Sequence, residues 1–256
     1  GPTGLRARLK CGLTFMENVM ADLVTVTESA SHVLLTLDDG KANALSFAML
    51  DGLAAGLDTA AQAGKVVVIS GRPGRFSAGF DLSVMAAGGE PMLRLLRQGA
   101  DTAIRLLSFN TPVVLAVSGH ALAMGALLCL SADYRVGQRG AYKLGLNEVA
   151  IGMTLPWFGI ELARARLAPT ALSPAVGLAQ VYDPDAAVAA GYLDEAVDEA
   201  DLLPRAVALA EGWSALNMGA HRDTKARFRE ELFARLEQAL ERDFHEGAPV
   251  GRAAGN

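Results

Sequence analysis

Residues 65–82 read KVVVISGRPGRFSAGFDL, and this stretch decides the fold. Its first part, Lys65–Ser70, is a short β-branched run of the kind that forms a buried parallel strand. The Gly- and Pro-rich residues 71–74 end this strand, and the small residues Ala78-Gly79 form a tight turn before a helix that begins near Asp81. Small residues at a helix start leave backbone N–H groups open to negative charge. The stretch therefore predicts half of an oxyanion hole.

The 256-residue chain has the composition of a globular protein. Hydrophobic residues make up 51% of it, which is enough for one substantial core. The net charge of −5, without a Lys/Arg cluster, gives no electrostatic basis for binding nucleic acid. The two cysteines, Cys11 and Cys129, form neither a disulfide framework nor a metal-ligand pattern, and the four histidines form no metal-binding pair. We therefore expect a reducing, cytoplasmic environment.

Short apolar runs alternate with helical patterns along the chain. Strands are predicted at Leu23–Thr27, His32–Leu37, Lys65–Ser70, Val113–Val117 and Tyr134–Val136. Helices are predicted after Ser46, which can cap the first of them, and over about Met92–Leu107. Strands separated by helices predict an α/β fold with a largely parallel sheet.

One apolar segment has the length of a membrane span. Leu106–Ala132 contains no Asp, Glu, Lys or Arg. Pro112 and a turn at Ser118–His120 divide it, however. We therefore predict the buried strand Val113–Val117, a turn and a buried helix from about Ala123, and no contact with a membrane.

The chain is expected to have three regions. Residues 1–15 carry three basic residues and no acidic one, and we interpret residues 1–21 as a leader or an added extension. Residues 22–200 form the core, and residues 201–256 form a strand-free, helical region. Within Lys225–Asp243, an apolar stripe is predicted from the four-residue spacing of Phe228, Leu232, Leu236 and Leu240. This stripe packs either on the core of its own chain or against a neighbouring subunit.

Two segments resemble the crotonase superfamily, which contains enoyl-CoA hydratases and isomerases. RFSAGFDL (residues 75–82) resembles the oxyanion turn of this family, and VSGHALAMGAL (residues 117–127) resembles the segment that supplies the second oxyanion donor. The resemblance covers roughly residues 22–200. It implies a crotonase (ClpP-like) spiral of ββα units, with the backbone N–H groups of Ala78 and Met124 as the two donors. It also favours a homotrimer or hexamer, with the C-terminal helical region buried between subunits.

The same resemblance identifies a catalytic base. GLNEVAIG (residues 145–152) aligns Glu148 with the second catalytic glutamate of the family, whereas Leu127 occupies the position of the first. Leucine cannot transfer a proton, and this combination is similar to the enoyl-CoA isomerases of fatty acid metabolism, which shift a double bond from position 3 to position 2. The alternatives are a hydratase that works without the first glutamate, a non-catalytic acyl-CoA-binding homologue, and a thioester hydrolase on the same scaffold.

The sequence neighbours of Glu148 are apolar, namely Leu146, Val149 and Ile151. We expect desolvation by such neighbours to raise the pKa of the Glu148 carboxyl group toward the range that suits a base near neutral pH. Without the resemblance, a single glutamate in a loop is more often a solvated charge or a helix cap.

The remaining site residues are implied by the resemblance alone. KANAL (residues 41–45) matches the family's loop around the adenine and pantetheine of coenzyme A. Contacts to coenzyme A or to the acyl chain are implied for Lys41, Ala42, Ala44, Phe80, Asp81, Leu82, Asn147 and Trp157. Coenzyme A enters as part of the substrate, so neither a separate cofactor nor a metal is expected.

Overall fold

The computed structural model describes residues 22–245, and the predicted leader, residues 1–21, lies outside the described residues. The strands are β1 (Val24–Glu28), β2 (His32–Leu37), β3 (Ala44–Leu45), β4 (Val66–Ser70), β5 (Gly74–Ser77), β6 (Gly79–Phe80), β7 (Val113–Val117), β8 (Gly119–Leu122), β9 (Tyr134–Gln138), β10 (Leu144–Gly145), β11 (Val181–Tyr182) and β12 (Glu195–Val197). The helices are α1 (Phe47–Ala63), α2 (Leu82–Ala87), α3 (Gly89–Leu107), α4 (Met124–Cys129), α5 (Trp157–Arg166), α6 (Pro169–Gly177), α7 (Pro184–Ala190), α8 (Glu199–Trp213), α9 (Met218–Phe228) and α10 (Glu230–Phe244), with a short 3₁₀ turn at Val149–Ile151.

Two sheets contain most of these strands. The larger sheet has the order β1-β2-β4-β7-β9-β12, and every neighbouring pair in it is parallel except β1 and β2. The smaller sheet has the order β11-β10-β8-β5, and only β10 and β11 are antiparallel. β3 and β6 form a separate parallel pair. The predicted α/β fold with a largely parallel sheet is confirmed.

Successive strands alternate between the two sheets. β4, β7 and β9 lie in the larger sheet, and the strands that follow them in the chain, β5, β8 and β10, lie in the smaller one. Helices then return the chain to the larger sheet before the next pair of strands begins. This repetition of two strands and a helix confirms the predicted spiral of ββα units.

Local sequence signals account for the first long helix. The Ser46 hydroxyl accepts a hydrogen bond from the Met49 N–H (3.1 Å) and caps α1, as predicted. Gly64 ends the helix with a φ of +63°, a conformation that favours glycine. The apolar face between them, including Leu50 and Leu53, is buried in the core against the larger sheet.

The apolar segment Leu106–Ala132 differs from the prediction at one point. A turn was expected at Ser118–His120, but β8 begins at Gly119 and lies between β5 and β10 in the smaller sheet. Its pairing partners lie more than twenty residues away in the chain on either side, so local turn signals could not reveal it. Within residues 22–245, no helix is both long enough and apolar enough to span a membrane.

The C-terminal region is helical, as predicted, but its apolar stripe is shorter than expected. The helix predicted over Lys225–Asp243 is interrupted at Arg229, between α9 and α10. Leu232 and Leu236 are buried, whereas Phe228, which precedes the interruption, is 69% exposed. Because α10 packs on α5 of the same chain, Leu232 and Leu236 are buried within this chain. Burial of the C-terminal helical region between subunits stays a prediction.

Candidate active site

A mainly apolar cleft of about 490 Å³ lies between the start of α4, the β6 strand and the segment that leads into α5. Six of the predicted site residues contribute to its walls, and they come from three separate parts of the chain. These six are Ala78, Phe80, Leu82, Met124, Asn147 and Glu148. The fold therefore brings both predicted oxyanion segments and the predicted base to one cavity.

The N–H group of the first predicted oxyanion donor, Ala78, already makes a hydrogen bond within the chain. The Ala78 N–H donates a hydrogen bond to the Ala42 carbonyl oxygen (3.0 Å), so its assignment as a free donor is corrected. The Gly79 N–H donates to the Ser77 hydroxyl (3.1 Å), and the Asp81 N–H donates to the Leu45 carbonyl (3.2 Å).

The register of β6 against β3 identifies a different donor in the same turn. Leu45 lies opposite Phe80, and the N–H group that reaches the Leu45 carbonyl is that of Asp81, the residue directly after β6. Successive N–H groups of a strand point to opposite sides, so the Phe80 N–H points away from β3. Phe80 lines the cleft, and we therefore place the first donor at Phe80, two residues after the predicted position.

The second predicted donor, Met124, is the first residue of α4 and lines the cleft. The first N–H groups of a helix have no partner within the helix, which leaves the Met124 N–H available to an anion. Ala123 before it has φ +51° and ψ −123°, a strained conformation for a residue with a Cβ. Strain held at the helix start is consistent with a functional site.

The two oxyanion segments are packed so closely that only glycine fits between them. A Cβ atom on Gly79 would lie 3.3 Å from the Met124 nitrogen, and one on Gly125 would lie 2.4 Å from the Ser77 carbonyl oxygen. The missing side chains let the β6 strand and the start of α4 approach each other. The methionine side chain at position 124, where the family usually has glycine, is accommodated beside Gly99 of α3, where a Cβ atom would lie 3.5 Å from the Met124 Cε.

Glu148 is buried in the wall of the cleft with only 8% of its surface exposed. Its Oε2 atom has no hydrogen-bond partner, and neither has the Oδ1 atom of the adjacent Asn147. Burial raises the pKa of Glu148 to about 7, with a smaller, opposite contribution from a backbone hydrogen bond. The sequence-based expectation of a raised pKa is thus confirmed, and the carboxyl group is suited to accept a proton near neutral pH.

Leu127 lies in the same cleft and is 2% exposed. It stands on α4, one helical turn after Met124, so a glutamate at this position would place a second carboxyl group in the cavity. Glu148 is the only titratable side chain among the residues that line the described cleft. The cleft therefore holds one group that can transfer a proton.

Residues 27–246 match the protein family described as enoyl-CoA hydratase/isomerase. The chain belongs to the enoyl-CoA hydratase/isomerase family.

Relatives of this family member carry both kinds of activity in their names. This chain is similar to an enoyl-CoA hydratase/isomerase family protein from Pseudomonas syringae whose crystal structure is known, with 43% sequence identity. The match covers 88% of this chain and 97% of that chain, and the two structures superpose with a TM-score of 0.86. Human "Enoyl-CoA delta isomerase 1, mitochondrial" is 30% identical over 67% of this chain and 57% of its own length. "Probable enoyl-CoA hydratase" from Bacillus subtilis is 32% identical over 69% of this chain and 70% of its own length.

The chain spans 57–62% of the length of the mammalian isomerases that it matches. The structural match at 43% identity establishes the crotonase-type fold of this family member, including its C-terminal helical region. The relatives at about 30% identity include both an enoyl-CoA delta isomerase and a probable enoyl-CoA hydratase.

The predicted coenzyme A loop is joined directly to the oxyanion turn. Besides the bond from Ala78 to Ala42, the Asn43 side-chain amide donates to the carbonyl oxygens of Leu37 (2.8 Å) and Phe76 (3.2 Å). The Asp39 carboxylate accepts hydrogen bonds from three N–H groups of the loop, those of Lys41, Asn43 and Ala44. The family's loop is thus fixed in place next to the cleft.

Sequence reasoning missed Asp39 and Asn43 as the residues that organise this loop. Asn43 is fully buried and has a φ of +54°, a conformation that asparagine adopts more readily than most residues. Asp39 followed by Gly40 is a turn signal, and the Asn three residues after Gly40, within KANAL, could have indicated the positive φ. The Lys41 side chain is exposed at the edge of the loop.

Of three further residues implied to contact substrate, one lies at the cleft and two do not line it. Asp81 caps α2, and its carboxylate accepts hydrogen bonds from the Ser83 N–H (2.9 Å) and hydroxyl (2.6 Å). Leu82 lies at the mouth of the cleft and is 74% exposed. Trp157 is not among the residues that line the described cleft, and its ring lies 4.5 Å from the Arg242 guanidinium instead. Asp81 and Trp157 thus lie outside the lining of the cleft, and their contact with coenzyme A or the acyl chain stays a prediction.

Proposed function

We propose that this family member shifts a double bond of an acyl-CoA thioester from position 3 to position 2, with Glu148 as the single base. The observation that carries the proposal is the pairing of a buried Glu148, whose pKa is about 7, with Leu127 in the only other place where a second carboxylate is expected. A reaction that moves one proton within one substrate needs a single base. The addition of water to a double bond, by contrast, is helped by two such groups.

The proposed reaction has two proton transfers and no net change in oxidation state. The ionised Glu148 removes a proton from C2, which the thioester carbonyl and the alkene make acidic, and a dienolate forms. The same carboxyl group then returns its proton to C4, so the double bond ends between C2 and C3. The apolar lining excludes water that would compete for the proton, consistent with only Asn147, Glu148 and Thr154 supplying polar side chains.

In this proposal the negative charge of the dienolate develops on the thioester oxygen. The N–H groups of Phe80 and Met124 donate to that oxygen, since both residues line the cleft and neither N–H is needed by the adjoining strand or helix. One such donor typically contributes a factor of about 10²–10³ in rate.

Separate measurement of both reactions tests the proposal. Purified protein is incubated with a 3-enoyl-CoA, and 2-enoyl-CoA and 3-hydroxyacyl-CoA are followed by chromatography. We expect 2-enoyl-CoA to form, and Glu148→Gln to slow its formation by about 10²–10⁴-fold because the base is lost. Glu237→Gln, an exposed glutamate on α10, is the matched control and should keep full activity. Full activity of Glu148→Gln would contradict the single-base mechanism.

The second candidate is an enoyl-CoA hydratase, which the name of the Bacillus subtilis relative favours. Direct formation of 3-hydroxyacyl-CoA from added 2-enoyl-CoA would support it over the isomerase. Tight binding of acyl-CoA without either product, and without any dependence on Glu148, would support a non-catalytic acyl-CoA-binding protein.

We further propose that Lys41 contacts a phosphate of coenzyme A. In addition, we propose that the protein forms a homotrimer or a hexamer. Exposed apolar side chains in the 3₁₀ turn after Glu148 and directly after α6 support self-association: Val149, Ile151 and Leu178. Sedimentation should then give the mass of three or six copies of the 26.7 kDa chain, and the mass of one copy would contradict the proposal. The cytoplasmic location stays a prediction from the cysteine content.

A further inference from the structure

The start of α5 is held by a side chain from the far end of the chain. Asp243, near the end of α10, is almost fully buried. Its Oδ1 atom accepts a hydrogen bond from the Trp157 N–H (2.8 Å), and its Oδ2 atom accepts one from the Phe158 N–H (2.9 Å). These are the first two residues of α5, whose N–H groups have no partner within the helix. The carboxylate therefore caps α5 with both oxygens and complements its dipole.

The capped end of α5 is also a wall of the cleft. Pro156 and Phe158 line the cavity, and Phe158 is buried beside it. Pro156, the residue before the helix, makes no side-chain cap to α5, so the cap comes from Asp243 alone. The position of the Phe158 ring in the cleft thus depends on a residue 85 positions later in the chain.

The end of α10 contacts the opposite wall as well. The guanidinium of Arg97, on α3, lies 5.6 Å from the Phe244 ring, next to Asp243 in sequence. Leu96, also on α3, lines the cleft. On the α5 side, the Arg242 guanidinium lies over the Trp157 ring. Three consecutive residues of α10 therefore connect α3 and α5, two helices that each contribute a residue to the lining of the cleft.

We propose that Asp243 is a positioning residue that sets the affinity of the cleft for the acyl chain, by fixing the start of α5 and with it the Phe158 wall. The inference rests on the proposed acyl-CoA function. Asp243 is not among the residues that line the cleft, so it acts through Phe158 and not by touching substrate. The oxyanion donors and Glu148 lie on other segments, and the loss of Asp243 leaves them in place.

Binding of two saturated acyl-CoAs that cannot react tests this inference. Isothermal titration calorimetry with butyryl-CoA and octanoyl-CoA gives the ratio of the two affinities. Each added methylene that is buried contributes up to about four-fold in affinity, so the wild-type protein should bind octanoyl-CoA at least about ten-fold more tightly. Asp243→Ala should lower this ratio by about five-fold or more and change the butyryl-CoA affinity by less than about two-fold. Glu241→Ala, an exposed acidic residue of the same helix, should leave the ratio unchanged.

Asp243→Asn keeps the size of the side chain and one acceptor oxygen, so it gives a folded variant if Asp243→Ala does not fold. We expect it to lower the ratio by a smaller factor. An unchanged ratio in the folded variant, an equal loss for both ligands, or a wild-type protein without preference for the longer chain would each overturn the inference. Failure of the wild-type protein to bind either acyl-CoA would overturn the proposed function itself, and this outcome is visible without any variant.

Discussion

A carboxylic acid surrounded by apolar side chains holds its proton more tightly than one in water, and Glu148 is in this situation. Its pKa of about 7 has desolvation as the main cause, and no cation in the described residues offsets it. The same burial that prepares Glu148 to exchange a proton also makes its ionised form unfavourable in the folded protein. Activity and stability should therefore respond to pH in opposite directions.

The first prediction concerns the pH dependence of catalysis. Because the base must be ionised, we expect kcat/KM for a 3-enoyl-CoA to fall about ten-fold per pH unit below pH 7 and to level off about one unit above it. A series of initial rates between about pH 5 and pH 9 measures this profile. A midpoint near the ordinary glutamate pKa of 4.5 would show that Glu148 is solvated or is not the base.

The second prediction concerns stability. The folded state binds the Glu148 proton more tightly than the unfolded chain does, so the free energy of unfolding falls as pH rises from 4.5 to about 7. Glu148→Gln removes this loss, and at pH 8 the variant should be more stable than the wild type, by on the order of 3 kcal/mol. Near pH 4 the difference should vanish. Urea unfolding at both pH values measures it, with Glu237→Gln as the control. If Glu148→Gln were less stable than the wild type at pH 8, burial of the ionised Glu148 would not destabilise the folded protein, and the prediction would be contradicted.

At the scale of elements, the site depends on the contact between β6 and the start of α4. Neither element has a catalytic side chain of its own. Their contribution is two backbone N–H groups, and the separation of these groups is set by the close approach at Gly79 and Gly125. The proposed oxyanion hole therefore depends on how these two elements pack.

The third prediction follows from this packing. Because a Cβ on Gly125 would meet the backbone of Ser77, the last residue of β5, Gly125→Ala should push the start of α4 away from the turn between β5 and β6 and destabilise the protein by about 1–3 kcal/mol. A displacement of the donor by about 1 Å should lower kcat/KM about 10²-fold. Gly212→Ala is the matched control: Gly212 lies in α8 with no atom near its missing Cβ, so alanine should stabilise the protein by about 0.5–1 kcal/mol. Unchanged activity in Gly125→Ala would contradict the proposed geometry.

At the scale of the whole molecule, a buried ion cluster joins the C-terminal region to the core. Asp133, which follows α4, accepts hydrogen bonds from the Val113 N–H (2.8 Å) and from Lys225 Nζ (2.6 Å), and its other oxygen lies 3.0 Å from Arg229 Nη2. Lys225 and Arg229 are buried although each carries a charge. Burial lowers the pKa of Lys225, and Asp133 opposes this effect. The cluster orients α9 and the start of α10, and α10 in turn supports the wall of the cleft.

The fourth prediction is that Asp133→Ala lowers the free energy of unfolding by about 3–5 kcal/mol, since it leaves two buried cations without their partner. Asp58→Ala, which removes an exposed partner of Arg105, should cost no more than about 1 kcal/mol. Chemical unfolding of both variants under the same conditions measures the difference. Equal effects would show that the cluster contributes no more than a surface ion pair.

The parts of the fold and site that could be predicted are those with a local signal. The Ser46 cap, the strand at Val66–Ser70 and the two small-residue turns are read from neighbouring residues, because caps and turns depend on hydrogen bonds within a few positions. The motif at residues 145–152 predicts Glu148 as the base, and its apolar sequence neighbours predict that its pKa is raised. The interruption at Arg229 and the strand at Gly119 lacked such a signal.

The sequence by itself determined the alternation of strands and helices, both oxyanion segments and the presence of one carboxylate where leucine excludes a second. Only the tertiary structure decided which N–H groups remain free. Local sequence does not show whether the Ala78 or the Phe80 N–H stays free. The pairing with residues 42–45, more than thirty positions away, occupies the first and leaves the second. The cap that Asp243 provides to α5 is likewise decided only by the tertiary structure. Periodicity and turn chemistry act over a few residues, whereas the partner of a given backbone group is chosen by packing across the whole chain.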